Sequence, residues 1–193
     1  MSYENDVPTD SLFNYHNTST ALSNFTTEDN LQKTYPPVII RPGTFKNLGA
    51  NAKSLHVKAS MRLSTTGAPT FTWTIRLLTT TTWSAGGILL GSTAALGAGT
   101  TQTLDPVFLD AEIGLKSLGI GATSVLRTMG EVRSPNGISA PSAGSIPANN
   151  TSPDSAASFD NSLQYYLFIS AACGTANAAN LIQMEQLKVY ADN

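Results

Sequence analysis

The segment from Lys53 to Leu77, KSLHVKASMRLSTTGAPTFTWTIRL, changes character at every second residue. Leu55, Val57, Ala59, Met61 and Leu63 fall on one side of an extended chain, and His56, Lys58, Ser60 and Arg62 on the other. After the turn residues Ser64–Pro69, Phe71, Trp73, Ile75 and Leu77 resume the alternation against Thr70, Thr72, Thr74 and Arg76. A period of two is the signature of strands with one face in a core and one in water. Read locally, the segment is a pair of antiparallel strands joined by a tight turn.

The same theme runs through the chain. Val38-Ile39-Ile40 is bounded by Pro36-Pro37 and Pro42-Gly43, as a short strand would be. Trp83 and Gly86-Gly87 lead into Ile88-Leu89-Leu90, and residues 91–104 read as a weakly structured loop or edge. From Pro106, Val107, Leu109, Ala111, Ile113 and Leu115 face one way, and Phe108, Asp110, Glu112 and Lys116 the other. A further strand is expected at about 123–133, after Gly119-Ile120-Gly121. Leu163, Tyr165, Leu167, Ile169 and Ala171 alternate, and a last strand runs from about Leu181 to Tyr190, with a bulge expected near Gln183–Gln186. No segment holds a helical period over three turns. The sequence therefore predicts an all-β chain: a jelly-roll β-sandwich of about eight antiparallel strands. An immunoglobulin-like sandwich is the alternative, but its Cys…Trp…Cys spacing is missing.

Two segments stand outside this pattern. Residues 1–20 are polar, have no sustained period and read as an extended N-terminal arm before a domain at 21–193. Residues 134–157 form a long Pro/Ser/Ala/Asn-rich loop with Asp154 as its one charge. Loops of that length inside a compact domain tend to be functional or mobile. Isolated aromatics on a polar extended segment are suited to seating in pockets of a partner, and Tyr3, Phe13 and Tyr15 are the candidate anchors of the arm.

Composition narrows the function. The 193 residues are 41% hydrophobic, enough for a core, but only 12% charged, about half the usual ~25%. Such a surface suits a fixed assembly. The net charge is −2 with no basic run, and no Lys or Arg falls between Arg133 and Lys188, which argues against a nucleic-acid or polybasic membrane partner. The start, MSYENDVPTD, is acidic and unlike a secretory signal. The single Cys173 lies in an apolar run and is expected to be a buried small hydrophobe.

The search for chemistry finds little. His16 and His56 are the only histidines, and no HExxH, CxxC, GxSxG, GxGxxG or Walker spacing occurs. Asp110 and Glu112 share one strand face, roughly 6–7 Å apart along the backbone. That pair is the one candidate for acid/base or calcium chemistry, and it reads better as a solvated charged strip. No catalytic residue, metal or cofactor is expected, and the chain is read as a non-enzyme.

Three pieces, Ile40-Arg-Pro-Gly-Thr44, the alternating strand Leu55–Leu63 and Ser64-Thr-Thr-Gly-Ala-Pro-Thr70, resemble a recurring β-domain of tailed-phage virion proteins. The ending is similar too: an alternating strand, the small-residue turn Gly174-Thr-Ala-Asn-Ala-Ala-Asn180 and a final strand. The resemblance implies a jelly-roll module of capsid cement or decoration proteins, commonly trimeric and without catalytic residues. On that reading the chain is a homotrimer on the capsid exterior, with its arm on the major capsid protein. Phe108, Tyr166 and Phe168, apolar and nominally outward, become the candidate trimer contacts. The alternative is a head- or tail-fibre module for a host-surface glycan, with Trp83 as the sugar-stacking platform.

Overall fold

The computed structural model describes residues 9–45, 53–138, 143–147, 154 and 158–192. Among them are thirteen strands and no helix. In chain order they are β1 (Thr9–His16), β2 (Leu22–Ser23), β3 (Asp29–Asn30), β4 (Val38–Ile40), β5 (Ser54–Thr66), β6 (Thr70–Leu78), β7 (Ile88–Ser92), β8 (Leu96–Gly97), β9 (Thr101–Ser117), β10 (Val125–Arg133), β11 (Ala143–Ile146), β12 (Tyr165–Cys173) and β13 (Leu181–Asp192).

Two antiparallel sheets result. Sheet I has the order β1-β13-β5-β9-β10-β11, and sheet II the order β3-β12-β6-β7, with β4 also on β12. Leaving out β2, β3, β8, β10 and β11, the sheets read β1-β13-β5-β9 and β4-β12-β6-β7. The chain visits them as I, II, I, II, II, I, II, I. That winding is the jelly roll expected from the strand count.

The turn that joins the two most regular strands does not make a hairpin. β5 pairs with β13 and β9, whereas β6 pairs with β12, β7 and β8. Gly67 and Ala68 both have positive φ (71° and 53°), so the chain reverses sharply and crosses from one sheet to the other. The Gly67 N–H donates to Thr100 O, and the Thr65 hydroxyl to Gly99 O, which tie the crossing to the strand beside it. The alternating faces of β5 and β6 therefore look at each other across the core. Leu55, Val57, Met61 and Leu63 from sheet I are buried with Phe71, Trp73, Ile75 and Leu77 from sheet II. Cys173 is buried among them, and burial raises its thiol pKa above the ordinary value.

Several expectations are revised. Residues 91–104, read as a weakly structured loop or edge, hold the end of β7, the short β8 and the start of β9. Pro106 lies inside β9, at a point where β9 pairs with β5 but has already outrun β10, so its missing N–H interrupts no ladder on that side. Leu163 precedes β12 and is exposed. The expected bulge in β13 is present between Met184 and Gln186, and Ser19 closes it by bonding both the Met184 N–H and the Met184 carbonyl.

Thr9–His16 of the expected arm forms β1, which pairs with β13 of the same chain. β1 covers the outer edge of β13, satisfying backbone groups that an open edge would leave unpaired. The segment 134–157 likewise contributes β11, which extends sheet I beyond β10. Asp154, farther along the segment, is held by Lys116 and by Arg127 Nε at 2.9 Å. Hydrogen bonds from these two cations hold its carboxyl below the ordinary carboxylate range.

Candidate interaction surface

The registers of sheet I lay its outward side chains out as a grid. One row reads Tyr190, His56, Glu112, Met129 across β13, β5, β9 and β10. The next reads Lys188, Lys58, Asp110, Glu131, and the third Gln186, Ser60, Phe108, Arg133. The His56 and Tyr190 rings stack at 4.9 Å. Lys58 Nζ lies 3.2 Å from the Asp110 carboxylate, which holds the ammonium pKa above the usual lysine value. Arg133 sits over the Phe108 ring, 5.7 Å from its centroid, and approaches Glu131 at 3.7 Å. Asp110 and Glu112 thus stand on an open, charge-laced face, as the alternation predicts. Among the described residues no group of three His, Cys, Asp or Glu side chains is placed to hold a metal ion.

Sheet II is different. Its outward residues on β6 and β12 include Thr72, Thr74, Arg76, Tyr166, Phe168, Ser170 and Ala172. The segment before β3 crosses this face and places Glu28 on Arg76. The guanidinium donates twice, Nε to Oε1 and Nη2 to Oε2, both at 2.8 Å, while the Ser170 hydroxyl donates to Oε1 at 2.6 Å. Arg76 Nη1 also donates to Gly87 O. Burial pushes the Glu28 carboxyl pKa up, but the hydrogen bonds from Arg76 and Ser170 and the charge of Arg76 together hold it below 4.5. The connection between β6 and β7 folds over the other part of the face, where Trp83 meets Phe168 edge-on at 5.6 Å.

These placements sort the residues singled out from the sequence. Phe13 and Tyr15 turn inward and pack against the chain's own core, Tyr15 4.6 Å from the Tyr35 ring. As anchors for a partner they are corrected, because β1 has a ready edge and an apolar flank in its own domain. Tyr3 lies outside the described residues. Phe168 is 5% exposed beneath Trp83, so it too is corrected: the covering loop makes it part of a second, small apolar layer. Tyr166 is half-buried with its hydroxyl bonded to Gln164 Nε2. Phe108, 37% exposed, keeps the outward position expected of an interface residue. Trp83, the residue expected to stack on a sugar ring, is half-buried with Phe168 against it edge-on. Replacing Trp83 with alanine should uncover Phe168, lower stability by about 1 kcal/mol or more and increase binding of a hydrophobic dye. Unchanged dye binding and melting temperature would contradict this covering role.

Two features escape the sequence pattern: the Glu28–Arg76–Ser170 cluster and the side-by-side placement of Lys58 and Lys188. The hint for the first is that Arg76 is the one charge on an outward face otherwise made of threonine. The second depends on pairing between strands far apart in the chain.

No protein-family profile matches the chain, and no curated protein matches it in sequence. Among solved structures it is similar to a peanut lectin bound to a nine-residue peptide, with 12% identity, a TM-score of 0.41, and 95% of this chain and 97% of the lectin covered. It is also similar to the CBM2 module of the evolved Dit of Lactobacillus casei BL23 phage J-1, with 9% identity, a TM-score of 0.32, and 94% and 95% covered. A third is a non-specific endo-β-1,3(4)-glucanase of family GH16, with 10% identity, a TM-score of 0.33, and 95% and 92% covered. The fold assignment rests on the strand order above.

Proposed function

We propose that this chain is a binding module of a tailed-phage virion: a capsid cement or decoration protein that stabilises the major capsid protein shell from its exterior, as a homotrimer. The observation that carries the reading is that both outer sheet faces present large apolar side chains to solvent. These are Ile39 (43%) and Leu89 (44%) on sheet II and Phe108 (37%) and Met129 (57%) on sheet I. The charges around them are largely matched, in Glu28–Arg76, Lys58–Asp110 and Arg133–Glu131. Docking such a face removes apolar area from water with few unpaired charges to desolvate. The resemblance of residues 40–70 to virion β-domains agrees with this. A low-charge surface is also suited to dense packing in a lattice.

The direct test is to locate the protein on particles, by mass spectrometry of purified virions and cryo-EM of the shell. Density on the shell exterior at three-fold related positions is expected. Absence from virions, or presence only on tails, would sink the reading. In solution, sedimentation velocity should give a trimer, and a monomer at micromolar concentration would remove that part. The arm needs a finer experiment than removal of residues 1–20, which would strip β1 from sheet I. Deleting residues 1–8 alone should leave the melting temperature unchanged and reduce shell occupancy. Unchanged occupancy would exclude a role for Tyr3 and its neighbours.

A further inference from the structure

Lys58 and Lys188 are register partners on β5 and β13, so their side chains stand side by side on the outer face of sheet I. Like charges directly opposed on neighbouring strands are destabilising. One carboxylate, Asp110, stands next in the row, and it is the partner of Lys58 at 3.2 Å. Lys188 has no carboxylate partner among the described residues; its ammonium lies 5.8 Å from the centre of the Tyr190 ring. With Ser60, Phe108, Arg133 and Gln186 these groups line a groove of about 260 Å³. The groove lining holds Lys58, Lys188 and Arg133 with Asp110, and Glu131 at its rim pairs with Arg133 at 3.7 Å, so Lys188 is the cation left without a carboxylate, in a chain whose net charge is −2. It is therefore locally positive against the sign of the whole molecule, with the unmatched charge on Lys188 beside the Lys58–Asp110 pair and the hydrogen-bonding side chains Ser60 and Gln186 in the same groove. Arg133 lies over a face of the Phe108 ring, which is 37% exposed.

We propose that this groove docks an acidic segment of a partner polypeptide, with a carboxylate seated between Lys58 and Lys188 and an apolar neighbour against Phe108. The inference rests on the virion reading for the identity of the partner, the major capsid protein, and on the groove alone for its chemistry. A carboxylate between the two ammonium groups relieves their repulsion, which intramolecular pairing to Asp110 does only on one side. The gain is greatest where docking excludes water and salt.

The test uses the full chain, isotope-labelled, titrated with a hexaglutamate peptide at low salt. Polygalacturonate and inorganic phosphate serve as comparison arms. Shift changes should centre on Lys58, Ser60, Phe108, Gln186 and Lys188, and weaken as salt is raised. Lys188→Glu should lower affinity at least about tenfold while leaving the melting temperature equal or higher, because it replaces a repulsive pair with an attractive one. Lys188→Arg should retain binding. Changes centred elsewhere, no binding, insensitivity to Lys188→Glu, or tighter binding of polygalacturonate or phosphate than of the peptide would each overturn the proposal. Particles stripped of the protein separate the two readings. Wild type that binds hexaglutamate through the groove but does not rebind shells refutes the capsid role and leaves the groove's chemistry standing. Rebinding that Lys188→Glu leaves intact refutes the groove.

Discussion

Trp73→Ala is expected to lower the unfolding free energy by about 3–5 kcal/mol, the range for truncating a fully buried large aromatic side chain. Trp73 is the largest fully buried side chain, central on β6, where it pairs with Ala171 of β12 and faces sheet I. Phe71 lies 5.7 Å away on the same strand face, so the two rings fill the space between the sheets together. A jelly roll cannot close over such a cavity without tilting one sheet on the other, since both are held by long ladders. In a chain of this size the loss corresponds to a melting point lower by roughly 6–20 °C. Trp73→Phe should cost much less, because the indole N–H has no hydrogen-bond partner in the core and its removal leaves nothing further unsatisfied. Chemical denaturation of the three proteins checks both statements. A Trp73→Ala loss under about 1 kcal/mol would mean that the sheets are not packed through this residue.

Glu28→Gln is expected to be the second large effect and to change the response to pH. The substitution removes the carboxylate from a guanidinium that is largely buried, with side-chain exposures of 15% for Arg76 and 18% for Glu28. Leaving a mostly covered charge without its bidentate partner costs about 2–3 kcal/mol, below the figure for a fully buried pair. The folded carboxyl pKa is held below 4.5, so Glu28 contributes stability that is fully present above the unfolded value. That contribution is lost as pH falls through the folded value. Wild type should therefore weaken on acidification below about pH 4.5, and Glu28→Gln should be less stable at neutral pH but show a shallower acid limb. Parallel acid limbs for the two proteins would show that the pair makes no pH-linked contribution. Because Glu28 reaches Arg76 on β6 and Ser170 on β12, its loss should also loosen the adjoining β3, measurable as faster amide exchange at Leu31, which follows β3 and donates to Ile169 O.

Much of the architecture was legible because the alternation is so regular. Leu55 to Leu63, Phe71 to Leu77, Val107 to Leu115 and Leu167 to Ala171 are buried on the side the pattern predicts, and the β13 bulge falls where the pattern falters. The departures fall at positions where covering matters more than phase. Phe168 is outward in phase yet buried, because the connection carrying Trp83 returns over it. Phe13 and Tyr15 sit on a polar segment yet turn inward, because β1 meets the open edge of β13. The candidate interaction surface was half visible: Phe108 and its charged neighbours follow from the phase of β9, but the Lys58–Lys188 pair does not follow from either strand alone.

The amino-acid order by itself determined that the chain is all-β, where most of its long strands lie and which side of each is apolar, since a strand's two faces are set by residue parity. It could not determine that β5 and β6, consecutive and joined by the tight turn at Gly67 and Ala68, belong to opposite sheets. A local turn reverses the chain direction but does not choose hydrogen-bond partners. That choice was made by the ladders to β13, β9 and β12, and by the gain from turning two apolar faces toward one core. The same non-local pairing set Lys58 beside Lys188 and Glu28 on Arg76, so the chemistry of both outer faces exists only in the folded sandwich.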